Sequence, residues 1–247
     1  MKKKIKNLIN HYHEFKNSFN FIIIITLFFF TFLSIVNFNY DKNYIVFISI
    51  FLLIFIIFFW LILLSYVQHK PRKYILNLIS MRNRILRVKN LNGAEIGVLK
   101  GDYSSQMIKH FKTENIKLQL YLIDPWVVND DFTDYEENNL KNYYEHVKKK
   151  FFNHKNVKII KKASSVASED FISEFFDFIY IDGNHDYKYV KEDLELWFPK
   201  LKNKGILFGD DYLRPYGVSK AVAEFAFANN LIVHFSDGGN QFYLIKD

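Results

Sequence analysis

The chain has 247 residues, of which 50% are hydrophobic and 27 are Phe; it contains no Cys and carries a formal net charge of +7. Without Cys there can be no disulfide, thiolate nucleophile or cysteine-ligated metal. The charge is unevenly placed: residues 1 to 90 hold 13 Lys and Arg against Glu14 and Asp41 (+11), leaving 20 against 24 (−4) beyond them, which excludes a basic nucleic-acid groove in the C-terminal part.

In chain order, a basic segment, residues 1–18, is followed by two uncharged apolar runs, Phe21 to Val36 and Tyr44 to Val67. About 20 apolar residues span the hydrocarbon core as a helix, so residues 19–67 read as a transmembrane helical hairpin, with spans at about 19–38 and 44–67. Lys2, Lys3, Lys4, Lys6 and Lys16 precede it, and Lys70, Arg72, Lys73, Arg82, Arg84, Arg87 and Lys89 come after it. The positive-inside rule then places both ends in the cytoplasm. The rival readings are a cleaved signal peptide for the first run and a buried core helix for either. Residues 68–90 read as a basic amphipathic connector, and a multi-pass membrane protein with a cytoplasmic domain over 91–247 is expected.

From residue 91 short apolar runs alternate with longer helical patterns, the rhythm of βαβ units and a parallel sheet. Candidate strands are Ala94 to Val98, Leu118 to Ile123, Val157 to Ile160, Phe178 to Ile181 and Gly205 to Phe208, with helices at about 103–112, 134–152, 165–175, 187–201 and 217–228. Val190, Leu194, Trp197, Phe198 and Leu201 recur at helical spacing and form one apolar face. The chain closes with "LIVHFSDGGNQFYLI", two strand-like runs joined by a turn, which reads as a hairpin.

In such a sheet ligands bind beyond the carboxyl ends of the parallel strands, and nearly every strand runs out into polar residues. The first strand leads through "AEIGVLKGDYS", where Glu95 lies within the strand and Gly97 and Gly101 allow close backbone approach before a helix N-terminus. The stretch is not GxGxxG, which counts against a nicotinamide or flavin oxidoreductase. "LYLIDPW" places Asp124 where an acid can accept hydrogen bonds from both ribose hydroxyls, or simply stabilise a turn. Ser164 and Ser165 come after the third strand as helix-capping residues or base contacts. "FIYIDGNHDY" and "GILFGDDY" then bring Asp182, His185, Asp210 and Asp211 to the same edge: three hard carboxylates suited to a divalent ion such as Mg²⁺, and an imidazole suited to general base work. A turn-forming aspartate with a surface histidine is the bland alternative.

Together, "EIGVLKGDYSS", "LYLIDPW", "FIYIDGNHDYKYVKEDLELWFPKLKNKGILFGDDY" and "GVSKAVAEF" resemble the class I S-adenosylmethionine-dependent methyltransferases, in the branch with an Asp-Gly-x-His-x-Tyr motif that is similar to sugar O-methyltransferases. The resemblance covers about residues 91 to 247. It implies a Rossmann-like seven-stranded, mostly parallel α/β sheet whose last strand is antiparallel. It also implies S-adenosylmethionine held by Glu95, Gly97, Gly101, Asp124 and Asp182, with metal binding and base catalysis by Asp182, His185, Asp210 and Asp211; with the strand-end reading this gives Ser165 as a further cofactor contact, Asp182 and His185 as catalytic, and Mg²⁺ on Asp182, Asp210 and Asp211. Where the branch commonly has Gly-His-Asp-Tyr, this chain has Gly209, Asp210, Asp211 and Tyr212.

The expected function is therefore a membrane-anchored O-methyltransferase acting on a hydroxyl of a sugar, glycolipid or other small acceptor, with no nucleic-acid partner. A non-catalytic membrane-anchored nucleotide-binding scaffold and a nucleotide-sugar enzyme of similar topology are the alternatives. Residues 127–144, acidic and aromatic, read equally as a lid or as a solvated loop and helix.

Overall fold

The computed structural model describes residues 73–127, 137–213, 217–236 and 240–247. The expected hairpin, the basic segment before it and half of the stretch read as a lid lie outside them. Among the described residues no helix is long and apolar enough to cross a membrane. The chain divides into two units, 1–70 and 71–247, and the second carries the sheet.

In chain order this unit runs α1 (Lys73–Leu86), β1 (Asn90–Ile96), α2 (Asp102–Thr113), β2 (Lys117–Ile123), α3 (Glu137–Phe151), β3 (Val157–Ile160), α4 (Ser164–Ser168), β4 (Phe176–Ile181), α5 (Tyr187–Trp197), a 3₁₀ turn (Phe198–Lys200), β5 (Leu201–Gly209), α6 (Val218–Ala228), β6 (His234–Phe235) and β7 (Phe242–Ile245). The seven strands lie in the order β3-β2-β1-β4-β5-β7-β6. The first five are parallel, and β7 is antiparallel to both β5 and β6. This is the Rossmann-like arrangement expected, with the direction of winding reversing between β1 and β4.

Side-chain alternation along the strands builds two cores. Ile96, Ile123, Ile179 and Ile181 face α5 and α6, where Val190, Leu194, Trp197, Val222 and Phe225 meet them. Leu120, Leu122, Phe178, Tyr180 and Phe208 point the other way, toward Met107, Phe111, Val147 and Phe151. Strand β4, central and covered on both sides, is buried at all six positions, as a parallel strand between two helix layers must be.

Several boundaries differ from the sequence reading for identifiable reasons. The basic connector contains α1, whose Ile75, Leu76 and Ile79 are at most 1% exposed, so it is part of this domain's core. Strand β1 starts at Asn90 and stops at Ile96 because Gly97 turns the chain at φ 84°. Helix α4 has only five residues rather than eleven, since Phe171 and Phe176 are drawn into the core and pull the chain out of helix. Helix α5 ends at Trp197 because Pro199 cannot continue it, leaving a 3₁₀ turn before β5. Strand β5 begins four residues before the apolar run, pairing Leu201 with Phe176 across an irregularity.

Candidate active site

The carboxyl ends of the parallel strands are level. Ile96 is paired with Ile123 on one side and Ile181 on the other, Ile123 with Ile160, and Ile181 with Gly209. The chain turns out of the sheet just beyond this line. Three of the turns hold a residue other than glycine at positive φ: Leu99 at 51° after β1, Trp126 at 46° after β2 and Asp211 at 59° after β5. Such conformations cost of order 1–3 kcal/mol each and collect where ligands are held.

At the point of reversal, Asp182 N donates to Ile96 O at 2.8 Å, joining the start of the β4–α5 loop to the end of β1. The approach is close enough that a Cβ on Gly97 would stand 2.2 Å from the Asp182 carbonyl oxygen. Gly101, at φ 68°, ends the turn and begins α2; a Cβ there would meet the Phe151 ring at 2.7 Å. Asp124 organises this turn from the neighbouring strand. Its Oδ2 accepts from Val98 N at 2.9 Å and Leu99 N at 3.0 Å, and its Oδ1 from Trp126 N at 2.7 Å. Glu95 is buried one residue inside β1, where it accepts the Ser104 hydroxyl of α2.

The β4–α5 loop carries Asp182 and His185. Asp182 Oδ2 accepts the Tyr180 hydroxyl at 2.7 Å, which orients the carboxylate. Asn184 Oδ1 accepts Asp186 N at 2.9 Å and so closes the turn that starts α5. His185 Nε2 lies 3.5 Å from Asp182 Oδ1 and 2.9 Å from Asp211 Oδ2. Contact with Asp182 and Asp211 outweighs burial and raises the His185 pKa to about 9. In this arrangement the imidazole is protonated at neutral pH.

The expected site residues thus fall into two groups, with Asp210 and Ser165 outside both. Glu95, Gly97, Gly101 and Asp124 surround the turn after β1. Asp182, His185 and Asp211 come together, each offering an atom within 4.8 Å of the others. Asp210 does not join them: its Oδ1 accepts from Asn240 Nδ2 at 2.6 Å and from Asp211 N at 2.9 Å, and it is 3% exposed. Adjacent residues leaving a strand point to opposite sides, and the positive φ of Asp211 turns that residue toward His185. Ser165 is the second residue of α4, and its carbonyl accepts the Ser168 hydroxyl at 2.7 Å. Its neighbour Ser164 instead bonds inward to Asp193, a buried residue the sequence reading passed over although it lies three positions after Val190 on the apolar face.

Residues 94–212 match the family model for a methyltransferase domain. Among solved structures the chain is similar to the O-methyltransferase NovP, at 17% identity and TM-score 0.52 over 70% of this chain and 79% of that one. It is also similar to CalS11, a TDP-rhamnose 3'-O-methyltransferase of calicheamicin biosynthesis, at 18% identity and TM-score 0.45 over 70% of this chain and 80% of that one. Among curated proteins it is 34% identical over 61 residues to an uncharacterized protein, y4gI, of Sinorhizobium fredii, a match that takes in 24% of this chain and only 7% of that protein's length. Family match and strand order agree in a methyltransferase domain on a Rossmann-like sheet, the fold this chain shares with NovP.

Proposed function

We propose that the protein is a membrane-anchored O-methyltransferase that methylates a hydroxyl of a sugar, glycolipid or other small acceptor at the cytoplasmic face of a membrane. The observation that carries the acceptor chemistry is the group of Asp182, His185 and Asp211 beside the reversal point. An alcohol is a poor nucleophile at neutral pH, and two carboxylates with an imidazole are a means of activating one. Support for the anchor is the uncharged run from Tyr44 to Val67, long enough to span a bilayer, with its flanking Lys and Arg.

The chain's residues fit S-adenosylmethionine at the turn after β1, where glycines at 97 and 101 let the backbone pass close against Asp182 and Phe151, and Asp124 fixes the turn through the Val98 and Leu99 amides. Gly97, Gly101, Asp124 and Ser165 would hold it, with Glu95 behind the turn. When bound, it supplies a methyl group on a positively charged sulfur that an oxygen displaces in line, so the protein's task is alignment and removal of the hydroxyl proton. Asp182, between turn and loop, orients His185 and faces the acceptor side. His185 can take the acceptor's proton only after losing its own, which the two carboxylates resist.

Two carboxylate oxygens and one imidazole nitrogen also suit a divalent cation, Mg²⁺ by its oxygens and Mn²⁺ by the mixed set. Asp182, Asp211 and His185, in place of Asp210, would hold it, and it would supply positive charge that lowers the acceptor's pKa. Binding through His185 requires the neutral ring, so titrating Mn²⁺ into the full-length protein at pH 7.5 should release close to one proton per ion. The test of the whole reading is calorimetric titration of S-adenosylmethionine and S-adenosylhomocysteine into the full chain in detergent, with and without Mg²⁺ or Mn²⁺. Binding weakened at least tenfold in Asp124→Ala is expected; no binding to the folded protein would overturn it and return the scaffold and nucleotide-sugar alternatives.

A further inference from the structure

Helix α5 carries a carboxyl that the transfer chemistry leaves unused. Asp193 is 5% exposed on the inner face of the helix, beside Val190, Leu194 and Trp197. Its Oδ1 accepts the Ser164 hydroxyl, and the same hydroxyl oxygen accepts the Trp197 indole N–H at 2.7 Å. An indole nitrogen only donates, so the Ser164 oxygen must serve as acceptor toward Trp197 and its proton is committed to Asp193. The chain of bonds therefore has one direction, from Trp197 through Ser164 to Asp193. The second carboxyl oxygen lies under the loop after β4: a Cβ on Gly183 would stand 3.8 Å from Asp193 Oδ2.

Among the described residues no Lys or Arg pairs with Asp193. Burial pushes its carboxyl up to about 7, with the Ser164 hydrogen bond opposing the rise. A buried acid without a counter-ion costs stability, and a leucine-sized apolar residue would pack against Val190 and Trp197 without that cost. What the apolar residue could not do is join two loops. Ser164 opens α4 after a three-residue turn from β3, next to Ser165, and Gly183 stands between Asp182 and His185.

We infer that Asp193 is a positioning residue for methyl transfer: by holding Ser164 and underlying Gly183, it keeps the β3–α4 turn in register with the loop bearing Asp182 and His185. One turn belongs to the cofactor side of the cleft and the other to the transfer side, an assignment that rests on the proposed function. Positional errors of about 1 Å at such a junction are costly in alignment-driven reactions.

The test uses the full-length protein with S-adenosylhomocysteine as the probe, measured by calorimetry, and compares Ser164→Ala, Asp193→Ala, Asp193→Asn, the Ser164→Ala/Asp193→Ala double variant and Val190→Ala. Expected are a loss of about tenfold in affinity for each single alanine variant at 164 and 193, a double variant no worse than the weaker single, and a return to within about threefold in Asp193→Asn, which still accepts from Ser164. Val190→Ala, which only removes packing from the same helix face, should lower the Tm and leave the affinity alone. Should Asp193→Ala fail to fold, Ser164→Ala and Asp193→Asn carry the comparison. Affinities unchanged in Ser164→Ala, or losses that simply add, would overturn the inference while leaving the cofactor site intact. Absence of binding by the unaltered folded protein would overturn the cofactor reading and this inference with it.

Discussion

The two ends of β4 carry aspartates in opposite circumstances. At the amino end Asp177, 2% exposed, accepts from Asn92 N and Lys202 Nζ, both at 2.9 Å, with the Arg82 guanidinium at 3.9 Å. Its charge is fully answered by groups from α1, β1 and β5, and nothing is left over for a ligand. At the carboxyl end Asp182 meets the Tyr180 hydroxyl, His185 and, through its amide, β1, and among the described residues the positive charge beside it is an imidazolium that a change of pH can remove. The same residue type therefore serves stability at one end of the strand and, in the proposed function, reactivity at the other, according to whether its partner charge is permanent.

The largest effect that would test this contrast is on stability at the closed end. Asp177→Ala strands Arg82 and Lys202 without their partner and should lower the unfolding free energy by about 3 kcal/mol, the low end of the range for a broken buried pair because Lys202 is partly exposed. Urea denaturation would measure it, and S-adenosylhomocysteine affinity in the folded fraction should not change. A variant that lost affinity while keeping its stability would erase the distinction.

Next comes Gly97→Ala, which adds a Cβ into the Asp182 carbonyl and forces a side chain to φ 84°. A cost on the order of 1–3 kcal/mol in stability is expected, together with more than a tenfold loss of cofactor affinity, because the clash is with the loop itself.

Smaller, and dependent on pH, is His185→Ala. The folded pKa of about 9 lies above the 6.5 of the free side chain. The contribution of His185 is therefore fully present below pH 6.5 and fades as pH rises through 9. The wild type should exceed the variant by about 1 kcal/mol at pH 6, a modest figure for a pair partly open to water, and the two should converge above pH 9.5. Methyl transfer should be lost in the variant with cofactor affinity nearly kept.

The smallest effect is expected at Asp210. Asp210→Asn should leave Mn²⁺ affinity within about threefold, whereas Asp211→Asn should lose at least tenfold, since only the second carboxylate faces His185. The reverse order would restore Asp210 to the metal set.

Much of the site could be read from the chain because it sits where a periodic pattern stops. The apolar runs of β2 and β4 end at Asp124 and Asp182, and in a parallel sheet every such ending falls on one edge, so the residues just past the strands gather there. Asp193 shows a signal that was present and unused. It lies three residues after Val190 and four before Trp197, and a carboxylate on that apolar face needed an interior partner.

Strand content, the parallel order implied by βαβ rhythm, the terminal hairpin and the polar strand ends came from the sequence alone, because period, length and turn chemistry are local properties of the chain. Tertiary packing decided the rest. Phe171 and Phe176, drawn into the core, cut α4 to five residues; α1 became part of the domain by burying Ile75, Leu76 and Ile79. The positive φ of Asp211 set that aspartate rather than Asp210 beside His185, and the meeting of Trp197, Ser164 and Asp193 required α4 and α5 to pack together. Each of these depends on contacts between residues far apart in the chain, which no window of neighbouring residues contains.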